Sequence, residues 1–429
     1  MPDKPMTDAA QLQARHPARS KLLAWLLDSP SAFILRVMRQ PTLRATAVFA
    51  LSGLAFAVGN LLLARTMPVE AYGQLALAIA LFNVFGLLAP IGVDQAMLRH
   101  HIDPGPRLLA FLSASGIALG MIVGAGYSVF SDLHAMDGGA LALVIAAGGV
   151  LAALVSLARS RHREAAALLL ATAASWILLA IGIVSIVVPM TGPLLPLSLF
   201  AIGNLLAATI GWTTLGKAHR IAPADRADIP WGEACSLLGI AAIGTVILQF
   251  ERLVIPPTIG IGALALFSVL ASVAIFPFRL LTASAGFALV PKLRAATSRQ
   301  EEIRLVKREL LSTCTLLVGA TIGIVLLAPV ATPLLTGGRY EIGLGLALAA
   351  CFNGYSKVMQ SFPRALITAC GTDQDIARLN RLGWIGLATS VTGAFVGARW
   401  GLIGLLYGVT LGSMVGTLPA ILLAKRKLQ

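Results

Sequence analysis

Three basic side chains stand inside long apolar runs: Arg252 toward the outer end of 235–255, Arg279 in 262–286 and Lys357 deep in 342–362. An ionised group at the centre of a bilayer costs roughly 2.5–3.5 kcal/mol on insertion scales. Bases at that depth therefore face a partner or a polar cavity, or snorkel toward an interface. Their chemistry is that of counter-charges, since a guanidinium or an ammonium holds a phosphate or a carboxylate. Asn353, Lys357 and Gln360 recur at a spacing that puts them on one helical face. Asn83, Asn204, Gln249 and Asn353 are neutral polar groups suited to hydroxyls. Two acids accompany them. Glu251 adjoins Arg252, and Asp94 closes the second run together with Gln95. Either can take up and release a proton. Glu251 also reads as an interfacial pair with Arg252, and Asp94 as a helix cap or a partner of Arg99. Pro277, two residues before Arg279, releases backbone groups beside it.

No set of residues reads as catalytic or metal-binding, and no cofactor is expected. Cys235, Cys314, Cys351 and Cys370 form no C-x-x-C pair and read as reduced and structural. No G-x-x-x-x-G-K-[ST] occurs, so the chain has no P-loop of its own. The longest loop, roughly 287–309, is too short for a catalytic domain. The chain reads as no enzyme.

The elements that position these side chains follow from composition. Of 429 residues 57% are hydrophobic and 12% charged, about half the charged share of a soluble domain, and the mean hydropathy is +0.84. That predicts an all-α polytopic membrane protein. A spanning helix needs about twenty apolar residues. Twelve runs qualify: 43–64, 73–93, 108–130, 139–158, 165–188, 195–216, 235–255, 262–286, 310–333, 342–362, 382–398 and 401–423. Only Ala398-Arg399-Trp400 divides the last two. The net charge of +14 lies between the runs, as topology requires, so nucleic acid is not an expected partner. With the N-terminus in the cytoplasm, 27 of the 33 Lys and Arg residues fall on the cytoplasmic side. Arg65, Arg339 and Arg399 fall outside, and Arg252, Arg279 and Lys357 lie within runs. Both termini are then cytoplasmic. Residues 1–40 form a basic segment, either an interfacial amphipathic helix or a poorly ordered tail.

A shift of 192 residues lays Met67-Pro-Val-Glu-Ala-Tyr-Gly-Gln-Leu-Ala76 against Ile259-Gly-Ile-Gly-Ala-Leu-Ala-Leu-Phe-Ser268. Six runs on each side predict two parallel-repeat six-helix bundles, 41–220 and 221–429. Gly116, Gly120 and Gly124, and then Gly404, Gly408, Gly412 and Gly416, mark close helix contacts, within one subunit or at a dimer seam.

The stretch from Asn60 through Arg65, Glu70, Tyr72 and Gly73 resembles the first hairpin of Wzx-type polysaccharide flippases, in the multidrug/oligosaccharidyl-lipid/polysaccharide (MOP) exporter superfamily. Gly92-Val-Asp94-Gln-Ala-Met-Leu-Arg99 is similar to its G-x-D-x-x-x-x-R helix end, Phe250-Glu251-Arg252 to its acidic-Arg pair, and Ala288-Leu-Val-Pro291-Lys-Leu-Arg294 to its F-P-x-L exit. Glu251 stands where many relatives carry Asp, and the basic N-terminal extension is not a family feature. The resemblance implies a multi-pass protein of the bacterial inner membrane that flips an undecaprenyl-diphosphate-linked oligosaccharide. The expected partners are that lipid-linked sugar, membrane lipids, and a polysaccharide polymerase with its export machinery. Arg252, Arg279 and Lys357 would draw the diphosphate into a central cavity, and protons would be the coupling ion. A MATE-like drug or cation exporter is the alternative, although such sites need buried acids. A membrane polysaccharide polymerase fits less well, because its large loops are missing.

Overall fold

The computed structural model describes residues 41–100, 106–130, 134–216, 230–278 and 298–428, with single positions 281, 289, 293 and 296 between the last two blocks. The basic segment 1–40 and Arg279 lie outside the described residues. Contacts divide the chain into Met1–Ala50 and Leu51–Gln429. Of the first unit only the opening turns of one helix are described, and the packing below concerns the second.

Every described element is helical. The helices are α1 (Pro41–Thr66), α2 (Val69–Leu88), α3 (Val93–His100), α4 (Pro106–Phe130), α5 (Ala135–Ser160), α6 (Glu164–Val184), α7 (Leu194–Gly216) and α8 (Trp231–Thr258). They continue with α9 (Ile261–Leu270, extended by a π-helical turn, Ala271–Ile275), α10 (Arg299–Thr336), α11 (Leu344–Cys370), α12 (Asp373–Gly397) and α13 (Gly401–Leu428). A backbone in lipid must satisfy its own hydrogen bonds, and helices do so within each segment. Each run read from the sequence is helical over most of its described length. Among the described residues, nine stretches are long and apolar enough to cross a membrane. The last of these, Gln374–Lys427, holds both α12 and α13. Helix α11 is not among them, because Asn353, Ser356, Lys357 and Gln360 occupy its middle.

Local signals set the helix ends. The Ser298 hydroxyl accepts from the Glu301 N–H at the start of α10, and Gly337, at φ 65°, stops it in the left-handed conformation. Thr372 and Asp375 form a reciprocal capping box on α12. Between α2 and α3 the chain turns through Ile91 and Gly92, at φ 54° and 72°. A side chain at Gly92 would also strike the Ala234 carbonyl oxygen of α8, so both the backbone and the neighbour require glycine there.

Helix α5 packs against α2, α3, α4, α6 and α7, and α13 packs against α11 and α12. Helix α2 meets α8 and α9, with Gly73 against the Ile261 carbonyl. The outward flanks are apolar: Leu311 is 71% exposed, and Leu326 and Leu327 66% each. Side chains of this kind along a whole helix suit lipid as the surrounding medium.

The recurring glycines are seams within the chain. Gly116 meets Ala146, Gly120 meets Ala142 and Gly124 meets Gly138, a constant register that makes α4 and α5 antiparallel. In the same way Gly397 meets Gly404, Gly393 meets Gly408, and Gly412 meets Thr389 on α12 and α13. The Thr389 hydroxyl donates to the Gly412 carbonyl at 2.6 Å, and that of Ser390 to Val409 at 3.2 Å. Small residues let the backbones approach, so dispersion and these cross-helix bonds hold the pair. A β-carbon on Gly408 would fall within the Gly393 carbonyl oxygen. Gly408→Val should therefore destabilise the protein by about 1–3 kcal/mol, the usual cost of overpacking. A clear fall in the melting temperature of the detergent-purified protein is the expected reading, and an unchanged value would refute the seam.

Candidate functional site

Glu251 lies near the end of α8, one turn before Pro256 and Pro257, and is 1% exposed. Its two carboxylate oxygens take different partners on α11. Oε2 accepts from the Lys357 ammonium at 2.7 Å, and Oε1 accepts from the Asn353 amide at 3.0 Å. Asn353 and Lys357 are four residues apart, so one helical face delivers both donors to one carboxylate. The Asn353 amide nitrogen also donates to the Thr410 hydroxyl of α13 at 3.3 Å, and Thr410 donates to its own Leu406 carbonyl at 2.7 Å. Three helices are thus joined by one polar cluster in an apolar surrounding. In low dielectric such bonds are strong, and an unfilled one is correspondingly costly.

The cluster opens onto a cavity of about 50 Å³. Glu251, Asn353, Lys357, Gln360 and Arg364 line one side of it, and Ser390, Ser413 and Thr417 line the other. Ser356 and Ser413 hydrogen-bond at 2.8 Å across its wall. A polar space of that size takes a few water molecules and is far too small for an oligosaccharide.

Arg252 turns the other way. Successive residues on a helix differ by about 100°, so Arg252 leaves the Glu251 face. Its guanidinium lies 6.0 Å from the centroid of the Phe56 ring on α1, and its Nη1 donates to the Gln249 side-chain oxygen at 3.3 Å. Arg252 is 3% exposed and Gln249 8%. The adjacent pair Glu251–Arg252 is therefore split between two environments, and the ion pair of Glu251 is with a residue more than a hundred positions away.

The remaining sequence candidates fall elsewhere. Asn83 is half-buried on α2 and does not line the cavity. Asp94 is 4% exposed on α3, where it accepts from the Gln95 side chain at 2.7 Å. Burial raises its carboxyl above the usual carboxylate range, and the Gln95 bond offsets part of that rise. Asn204 is fully buried and donates to the Phe200 carbonyl of its own helix at 2.8 Å. Arg279 lies outside the described residues.

Several site residues escape the sequence reading. Arg364 continues the stripe 353, 357, 360, but the run predicted for this helix stops at 362, whereas the helix continues to Cys370. Ser356, Ser390, Ser413, Thr410 and Thr417 are common in membrane helices, and only the fold brings them together. A second group that the sequence reading leaves unconnected lies at the arginine-poor end of the helices, the side to which Arg65, Arg339 and Arg399 are assigned. Arg339 donates to the Met67 carbonyl at 2.6 Å, and the Tyr72 and Tyr340 rings meet edge to face at 6.3 Å. Tyr72 and Met67 are fully buried.

Removing one partner of a buried ion pair leaves a charge uncompensated and costs about 3–5 kcal/mol, while replacing both is far milder. Glu251→Gln should therefore lower the melting temperature strongly, and the double variant Glu251→Gln/Lys357→Met should recover most of the loss. Equal destabilisation by single and double variants would show that the pair is not coupled.

No family model matches the sequence, and no curated protein does. Solved structures do match in fold. The chain is similar to the lipid II flippase MurJ in an inward closed conformation, with a TM-score of 0.66 at 13% identity, over 90% of this chain and 88% of that one. It is similar to an inward-facing multidrug resistance MATE transporter of the MOP superfamily, with a TM-score of 0.62 at 13% identity, over 88% of this chain and 94% of that one. An outward-facing MATE transporter of the same superfamily matches with a TM-score of 0.51 at 12% identity, over 92% of this chain and 97% of that one. The chain is a multi-pass membrane protein with the fold of MOP-superfamily transporters.

Proposed function

We propose that this protein is an alternating-access flippase that carries a polyprenyl-diphosphate-linked oligosaccharide across the bacterial inner membrane for surface polysaccharide or exopolysaccharide synthesis. The observation that carries this reading is the sign of the buried charge and where it points. Within the apolar runs stand three bases, Arg252, Arg279 and Lys357, against one acid, Glu251. Glu251 is matched by Lys357, while Arg252 turns toward Phe56 on α1. An excess of bases within the apolar runs suits a diphosphate, for which arginine is the natural counter-charge. Asn83, Gln249 and Asn353 are assigned to sugar hydroxyls. A fold shared with a lipid II flippase supports a cargo of this class.

The reading needs two states. Closure by Arg339, Tyr72 and Tyr340 at the arginine-poor end, which we take as periplasmic, fits the higher similarity to inward than to outward conformations. Protons are the coupling ion we favour. Protonation of Glu251 would remove the charge that holds Lys357 and release α11 from α8, and Asp94 is the second candidate. Such a step moves an equilibrium only through different proton affinities in the two states. The MATE-like alternative, export of a drug or cation, would use Glu251 as the cation ligand. Its engagement by Lys357 at 2.7 Å speaks against that.

The test is complementation of polysaccharide export in a flippase-deficient host. Arg279→Ala and Lys357→Ala should each reduce export while the protein still inserts, and normal export by both would overturn the cavity assignment. For the closure, Met67→Cys is buried in this state and should react slowly with a membrane-impermeant maleimide. Adding Arg339→Ala should speed that reaction severalfold, and an unchanged rate would remove the clasp from the mechanism.

A further inference from the structure

At the end of the α12–α13 hairpin opposite Trp400, three arginines surround one groove. Arg378 and Arg381, one turn apart on α12, face Arg426 in the last turn of α13. The groove between them encloses about 390 Å³ and is floored by apolar side chains, among them Leu382 and Leu422. All three arginines are exposed, and none makes an ion pair among the described residues. The nearby acid Asp375 is already taken: its carboxylate holds Lys427 at 2.7 Å and closes the capping box of α12.

The groove lies on the outward flank of the hairpin. On α13, Ser413, Thr417 and Ala420 line the cavity beside Glu251, whereas Leu411, Leu418 and Leu422 are each 59% exposed on the other flank. Further along the hairpin, on the helical stripe that Leu411, Val415, Leu418 and Leu422 share, lies a second, largely apolar trough walled by Leu411 and Val415. Three fixed positive charges at the mouth of an apolar trough match a ligand with an anionic head and a hydrocarbon chain. A soluble anion would leave the trough unfilled, and a neutral lipid would leave the guanidiniums without a counter-charge.

We propose that this groove is a binding site for an anionic phospholipid, with its phosphodiester among Arg378, Arg381 and Arg426 and an acyl chain along the trough. The site is separate from the transport pathway, and its occupant is a constituent of the surrounding leaflet. Guanidiniums are suited to the head because each offers paired N–H donors to phosphate oxygens.

The test uses the full-length protein in mixed micelles, with lipid retention read by native mass spectrometry. Phosphatidylglycerol should be retained in preference to phosphatidylcholine. Basic residues at a membrane surface contribute about fivefold each in affinity for anionic lipid, so Arg378→Gln/Arg381→Gln/Arg426→Gln should lose that preference by a factor on the order of 100. Should the triple variant fail to fold, each single substitution should lose about fivefold. Equal retention of the two lipids by the native chain, or a preference that survives the substitutions, would overturn the proposal. Displacement of phosphatidylglycerol by an equimolar polyprenyl phosphate would also overturn it, by assigning the groove to the carrier lipid.

Discussion

A carboxylate inside an apolar helix bundle keeps its charge only with a cation in contact, and this requirement fixes the second half of the molecule. Glu251 is all but excluded from solvent, and its two oxygens are filled by Lys357 and Asn353. Both donors come from one face of α11, so the rotation of α11 about its axis is set by α8. Asn353 passes the constraint on to Thr410 of α13. Helix α13 is in turn joined to α12 along glycines whose neighbours leave no room for a side chain. One ion pair thus fixes the mutual positions of α8, α11 and α13, and the glycine seam adds α12.

The molecule uses two kinds of contact, and they differ in how readily they can be undone. Along α4–α5 and α12–α13 whole backbones touch, and separating them would exchange close packing over many turns for looser contact with lipid chains. At the arginine-poor end a polar contact is added to the packing of α2 on α8 and α9: Arg339 donates to the Met67 carbonyl just before α2, and the Tyr72 and Tyr340 rings meet. Arg339 is exposed there and exchanges a carbonyl for water at small net cost.

What the sequence discloses depends on whether a property is local. Apolar length is local, so each of the twelve runs is helical over most of its described length, and the glycine spacing at 404, 408, 412 and 416 is visible without a fold. The face shared by Asn353, Lys357 and Gln360 is local too, and all three line one cavity. Pairing is not local. Adjacency suggests Glu251 with Arg252, yet the helix turns them apart, and the cation that Glu251 holds lies 106 positions further along. Arg364 escapes because α11 outlasts its apolar run by more than a turn, a distinction that hydropathy does not make. The serines and threonines of the cavity carry no spacing signal. They are polar enough to be useful and small enough to sit in any membrane helix.

The separation of Glu251 from Arg252 has a further consequence for charge. Had the two formed a pair with each other, as adjacency suggests, Lys357 would have been left in the cavity without its carboxylate. Its ammonium would then pay a desolvation cost of several kcal/mol or give up its proton. Placing the acid with Lys357 neutralises that ammonium, leaves Arg364 as a further cation in the cavity lining, and directs the Arg252 guanidinium, which stays protonated in nearly any surrounding, toward α1. The group that can lose its charge and the group that cannot are therefore on opposite faces of α8. Under the proposed function, a change of protonation at Glu251 acts on α11, and an anion meeting Arg252 acts on the contact with α1. A helix that reports on one side to a titratable pair and on the other to a permanent cation can link the two events by its own displacement. No residue outside α8 is needed to connect them.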